Sequence, residues 1–132
     1  MAIAHPITNA HVQEFIIRAV GNVCTRMLKQ TATFVEKSAS ANYAGFRDKP
    51  HYFGSVGFVG HIDGIIYLCI PDDFVRDAAG TMLGLSPAEL AAEGETVLKD
   101  VVGEITNMTV GGFKNALCDS GFPCKLTLPS RV

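Results

Sequence analysis

The sequence predicts an α+β fold, a mainly antiparallel sheet with helices packed on one another and on the sheet. Three observations carry that prediction. A hairpin signal stands near the middle of the chain, helical periodicities lie on both sides of it, and a short β-rich segment closes the readable pattern. At 132 residues the chain has the length of one domain, spanning 1–132.

The elements follow in order. Phe15, Ile16, Ala19, Val23, Met27 and Leu28 recur at helical spacing, which predicts a helix from about His11 to Lys29 with Asn9 as its cap. Thr31 to Glu36 alternates and is rich in β-formers, so a strand is expected there. Ser38 to Pro50 is polar and carries Gly45 and Pro50, a loop composition. Tyr52–Val59 and Ile65–Ile70 flank Gly60-His61-Ile62-Asp63-Gly64, and the Asp-Gly dipeptide marks a hairpin turn. Pro71 stops the second strand. Asp72 and Asp73 then favour a helix start through the dipole, with Phe74, Val75, Ala78, Ala79, Met82 and Leu83 as its apolar face and Gly84 as its end. Ser86-Pro87-Ala88-Glu89 is a further start signal for one short turn. The longest helix is expected over Glu93–Leu117, and a last strand over Cys124–Leu128, before Pro129.

Composition removes several functions. Apolar residues make up 48% and charged residues 18%, enough for a core and too little charge for a disordered tail. Lys and Arg total 11 against 13 Asp and Glu, with the cations scattered from Arg18 to Arg131, so no basic face for nucleic acid is expected. The longest apolar run, Ile65–Ile70, is six residues where about twenty span a bilayer. Membrane insertion and a signal peptide are both disfavoured. Cys24, Cys69, Cys118 and Cys124 lack any C-x-x-C spacing and read as buried reduced thiols of a cytoplasmic protein. Cys118 and Cys124 stand six apart across a turn, close enough in sequence for a disulfide that a reducing compartment disfavours. His5, His11, His51 and His61 show no ligand spacing, so neither a metal nor a cofactor of its own is expected.

The long helix carries the most specific pattern. On a wheel, Leu98, Val101, Val102, Ile105, Thr109, Gly112, Phe113 and Ala116 share one broad side. Asp100, Glu104, Asn107, Gly111 and Lys114 follow spacings of 4, 3, 4 and 3 and form an opposite stripe within an arc of about 80°. Such a stripe is ordinary on a solvated face. Two details favour more than wetting. Asn is a poor helix-interior residue, and Gly103 and Gly111 each cost about 1 kcal/mol against Ala. Glycines there would clear a patch around Glu104 and Asn107, which suits a macromolecular substrate better than a small one held in a pocket.

The run Asp100-Val101-Val102-Gly103-Glu104-Ile105-Thr106-Asn107, followed by Met108, Gly111-Gly112, Lys114, Leu117 and Pro129, resembles the signature of the CheX/CheC family of chemotaxis phosphatases. Phe15-Ile16 with Asn22-Val23 and Met27-Leu28 is similar to the family's first helix. Val56-Gly57-Phe58-Val59-Gly60 with Gly64 is similar to its central hairpin, and Met82-Leu83-Gly84 to the end of its second helix. The resemblance covers nearly the whole chain and is strongest to the single-site CheX type.

That resemblance implies dephosphorylation of the aspartyl-phosphate of a CheY-type response regulator, which would bring the Mg²⁺ and the phosphoryl group. Asn107 would orient the attacking water and Glu104 would pair with a regulator lysine. Asp100, Gly103, Gly111 and Lys114 would meet the partner. A homodimer is implied as well. The alternative is a binding module of the same fold that docks on a receiver or an adaptor without hydrolysis. Two departures are visible. Pro129 comes one residue early, and the chain stops at Val132 where one-domain relatives continue, so C-terminal strands are expected to be short or missing, with an open sheet edge. Asn22 resembles part of the second site of two-site members, but the position three before it is Ala19 rather than Glu.

Overall fold

A computed structural model describes residues 7–35 and 50–127, together with the backbone of 130–131. Within them the order is α1 (Asn9–Met27), β1 (His51–Gly60), β2 (Gly64–Pro71), α2 (Asp72–Leu83), α3 (Pro87–Glu93), α4 (Glu95–Asp119), β3 (Cys124–Leu126) and β4 (Ser130–Arg131). The α+β class and the antiparallel sheet are as expected. The sheet runs β2-β1-β3, and β4 also pairs with β1.

Local chemistry explains the boundaries. α1 begins two residues earlier than expected because Thr8, not Asn9, caps it. The Thr8 hydroxyl accepts from the His11 N–H at 3.2 Å, and His11 Nδ1 accepts from the Thr8 N–H at 3.4 Å, a reciprocal cap built with histidine in the usual Glu position. The helix ends at Met27 rather than Lys29, where Lys29 turns left-handed at φ 55° and the Gln30 N–H closes on the Cys24 carbonyl at 2.9 Å. Residues 31–35 form no strand. Phe34 and Val35 are 48% and 87% exposed, and β-propensity without a neighbour to pair with does not make a strand. The expected loop from Ser38 lies almost wholly outside the described residues, as does Pro129.

The hairpin register pairs His51 with Pro71 through Phe58 with Gly64. At its turn the Gly60 N–H donates to Asp63 Oδ1 at 2.9 Å. α3 extends to seven residues on the Ser86–Glu89 capping box. β3 pairs Phe58 with Leu126, whereas β4 pairs Ser55 with Ser130. Thr127 follows β3 and stays tied to β1, donating its N–H to the Gly57 carbonyl at 2.8 Å and accepting the Gly57 N–H on Oγ1 at 2.9 Å. The C-terminal strands are short, at three and two residues.

α4 is the spine of the molecule. It packs on α1, α2 and β1, and both apolar clusters of the core draw on it. Leu98, Val101, Val102 and Ile105 join Val23, Leu28, Tyr52, Ile70 and Val75 in one. Phe113 and Leu117 join Phe15, Ala19, Phe58 and Cys124 in the other. The Phe113 ring lies 6.3 Å from Phe15 and 5.5 Å from Phe58. Since Phe15 and Ala19 meet the C-terminal half of α4 while Val23 and Leu28 belong with its N-terminal half, α1 and α4 run antiparallel. On β1, Tyr52, Val56 and Phe58 are buried while Phe53 and Val59 are exposed.

Candidate functional site

The candidate site sits on the crest of α4. Its buried residues from Leu98 to Leu117 cover an arc of about 200° on the wheel, because the helix is flanked by α1 and α2 and rests on β1. What remains outside is the narrow stripe. Asp100, Glu104 and Asn107 are exposed, and Gly111 and Lys114 are half-buried. Glu104 and Asn107 stand one turn apart, and neither side chain has a hydrogen-bond or ion-pair partner among the described residues. Asp100 is held by an interaction of its own.

Two buried threonines lie on the face of α4 turned away from this pair. Thr106 and Thr109 face inward, with Oγ1 donating to the carbonyls of Val102 and Ile105 at 2.7 and 2.8 Å, so each hydroxyl is satisfied within the helix. Thr106 stands over Gly54 of β1, where a Cβ would strike its side chain. The sequence reading placed Thr109 on the inner side and passed over Thr106. Its inward role depends on a glycine about fifty positions away, which no local pattern reveals.

The glycines divide. Gly111 has nothing within 4 Å of a would-be Cβ and leaves an opening one turn beyond Asn107. Gly103 was expected in the same cleared patch, but it is buried. It lies at the edge of the packed arc on the flank away from α1. Gly112, expected on the packed side, is exposed yet sits at the crossing with α1, where its Cβ would lie 3.4 Å from that of Ala19.

That close crossing leaves a groove of about 520 Å³ between the helices. Met108, Gly111 and Asn115 line it from α4, and Arg18, Asn22 and Arg26 from α1. Gly111 therefore belongs both to the stripe and to the groove. Sequence reasoning passed over the arginines, although Arg18, Asn22 and Arg26 recur every four residues and so share a face. Ala19, where a second-site carboxylate would stand, is buried beneath α4.

Elsewhere the chemistry is quiet. All four cysteines are free thiols, and burial pushes Cys24, Cys69 and Cys124 upward, away from the thiolate form. Cys118 Sγ donates weakly to the Cys124 carbonyl at 3.9 Å. Among the described residues no three His, Cys, Asp or Glu gather as a metal site, and no helix is long and apolar enough to cross a membrane. An exposed amide beside an exposed carboxylate, with no nucleophile between them, can orient a water and meet a cation.

Known proteins share this fold. The family described as chemotaxis phosphatase CheX matches residues 52–132. No curated protein sequence matches the chain. Among solved structures, the chemotaxis protein CheX of Vibrio vulnificus superposes with a TM-score of 0.73 at 25% identity, covering 95% of this chain and 77% of that one. A CheC-like superfamily protein from Shewanella sp. PV-4 gives 0.70 at 25% identity over the same shares. The CheX of a CheX–CheY–BeF3–Mg²⁺ complex from Borrelia burgdorferi shares the fold, with a TM-score of 0.70 at 18% identity, over 92% of this chain and 75% of that one.

Proposed function

The chain belongs to the CheX family of chemotaxis phosphatases, and we propose that it hydrolyses the aspartyl-phosphate of a CheY-type response regulator. The observation that carries this reading is the exposed Glu104–Asn107 pair on a helix that is otherwise packed on three sides. The Borrelia burgdorferi CheX of the same fold was solved bound to CheY with BeF3 and Mg²⁺, which supports a receiver as the partner here.

The division of labour follows from what the chain presents. Water oxygen attacks phosphorus, the bond from phosphorus to the aspartyl oxygen breaks, and the products are inorganic phosphate, a free carboxylate and a proton. Such a step needs an in-line water and balanced charge. The Asn107 amide accepts from the water and donates to a phosphoryl oxygen without titrating. Glu104, one turn earlier, pairs with a lysine of the regulator and sets the register of docking. The metal is the regulator's. Asp100, Gly111 and Lys114 border the contact.

The test is the decay of a phosphorylated CheY-type receiver with and without the protein. Acceleration that Asn107→Ala abolishes, with folding unchanged, is the expected result. An Asn107→Ala variant as active as the parent overturns the mechanism. Binding to the phosphorylated receiver with no acceleration by the parent selects a docking module instead.

A further inference from the structure

We propose that the groove between α1 and α4 is a docking channel for an acidic segment of the phosphorylated partner, with Arg26 and Arg18 receiving its carboxylates. The inference rests on the phosphatase reading and extends the contact from one helix to two.

Position comes first. The antiparallel pairing puts Arg26, near the C-terminus of α1, at the end of the groove closest to Met108 and the Glu104–Asn107 turn. Asp119, the one acid among the described residues that line the groove, stands at the opposite end beside the first turns of α1, and Arg18, between Phe15 and Ala19, lies in that same half. Arg26 is therefore the cation at the reacting end, with Arg18 further along the channel. Gly111 joins channel and crest without a side chain between them.

Charge complementarity names the occupant. A protein that carries a metal-bound aspartyl-phosphate needs carboxylates to hold the metal, so its surface there is acidic. This chain is itself net −2, and attraction must come from a local patch rather than the whole molecule. Arg26 has no ion-pair partner among the described residues. Arg18 lies 3.4 Å from Glu14, both about 60% exposed, a pairing weak enough to exchange for another carboxylate. Its guanidinium is steadied 5.8 Å over the Phe15 ring. Asn22 and Asn115, on opposite walls, offer amides to the main chain of an inserted segment.

The experiment is a binding titration of a beryllofluoride-activated CheY-type receiver, which reads affinity without turnover. The double variant Arg18→Glu/Arg26→Glu is expected to weaken Kd about tenfold or more at low salt, with the gap closing as ionic strength rises. Arg18→Lys/Arg26→Lys should retain most of the affinity. An equal loss in Lys125→Glu, which reverses a charge on β3 outside the groove, would reduce the effect to net charge and overturn the proposal. So would an unchanged Kd, or a change in sedimentation showing that the groove holds a second copy. A parent that shows the Arg-dependent affinity but no dephosphorylation sinks the phosphatase reading and leaves the channel standing. Normal dephosphorylation with Arg-independent affinity sinks the channel alone.

Discussion

Thr106 of α4 stands on Gly54 of β1, occupying the space that a β1 side chain would otherwise fill. The contact sets how closely the helix lies on the sheet and which way it is rotated. Asn107 is the next residue, and the rotation that buries Thr106 turns Asn107 outward.

Adding a methyl at Gly54 should therefore lift the helix. Gly54→Ala is expected to cost about 1–3 kcal/mol by overpacking, read as a lower urea midpoint. Thr106→Ala in the same chain should recover part of that loss, with a coupling energy of about 0.5 kcal/mol or more. Strict additivity of the two substitutions would show that the residues do not bear on each other.

Adjacent glycines should respond in opposite ways. Gly111→Ala meets open space, so stability should rise by up to about 1 kcal/mol through helix propensity, while affinity for an activated receiver falls as the opening fills. Gly112→Leu must push past Ala19 and should lower stability by about 1–3 kcal/mol. Thermal unfolding of the two variants beside the parent checks the sign of each.

On the proposed reading Glu104 acts through its charge rather than its packing. Glu104→Gln should leave stability within about 0.5 kcal/mol but lower kcat/KM on a phosphorylated receiver about tenfold at low salt, with the deficit shrinking as salt screens the lost pair. A deficit that salt does not change would point to shape instead.

High pH should weaken the fold. Burial raises Tyr52, as do the charges of Glu95 and Asp72 beside it, and burial likewise raises Cys24, Cys69 and Cys124. Each folded group keeps its proton to a higher pH than its unfolded counterpart, so its stability is present below the unfolded value and lost as pH rises through the folded one. Ordinary values near 8.5 for cysteine and about 10 for tyrosine set the window. The melting temperature should hold to about pH 8 and then fall, and Tyr52→Phe should make the fall shallower. A melting temperature that rises above pH 9 would reverse the assigned sign.

By itself the sequence determined the α+β class, the hairpin about Asp63-Gly64, the Ser86–Glu89 start of α3, and the stripe from Asp100 to Lys114. Those features are local: turn chemistry, capping and a 3.6-residue period act over a few residues. The strand expected from Thr31 is absent over residues 31–35, and no local pattern showed that Gly103 is buried, because a strand needs a neighbour and burial needs something above it. Tertiary structure alone decided that Gly54 seats Thr106, and that Arg18 and Arg26 border the groove beside the crest. The reason is physical. Each of those relationships joins residues far apart in the chain through a single close contact between helix and sheet or helix and helix, and no periodicity encodes the distance between them.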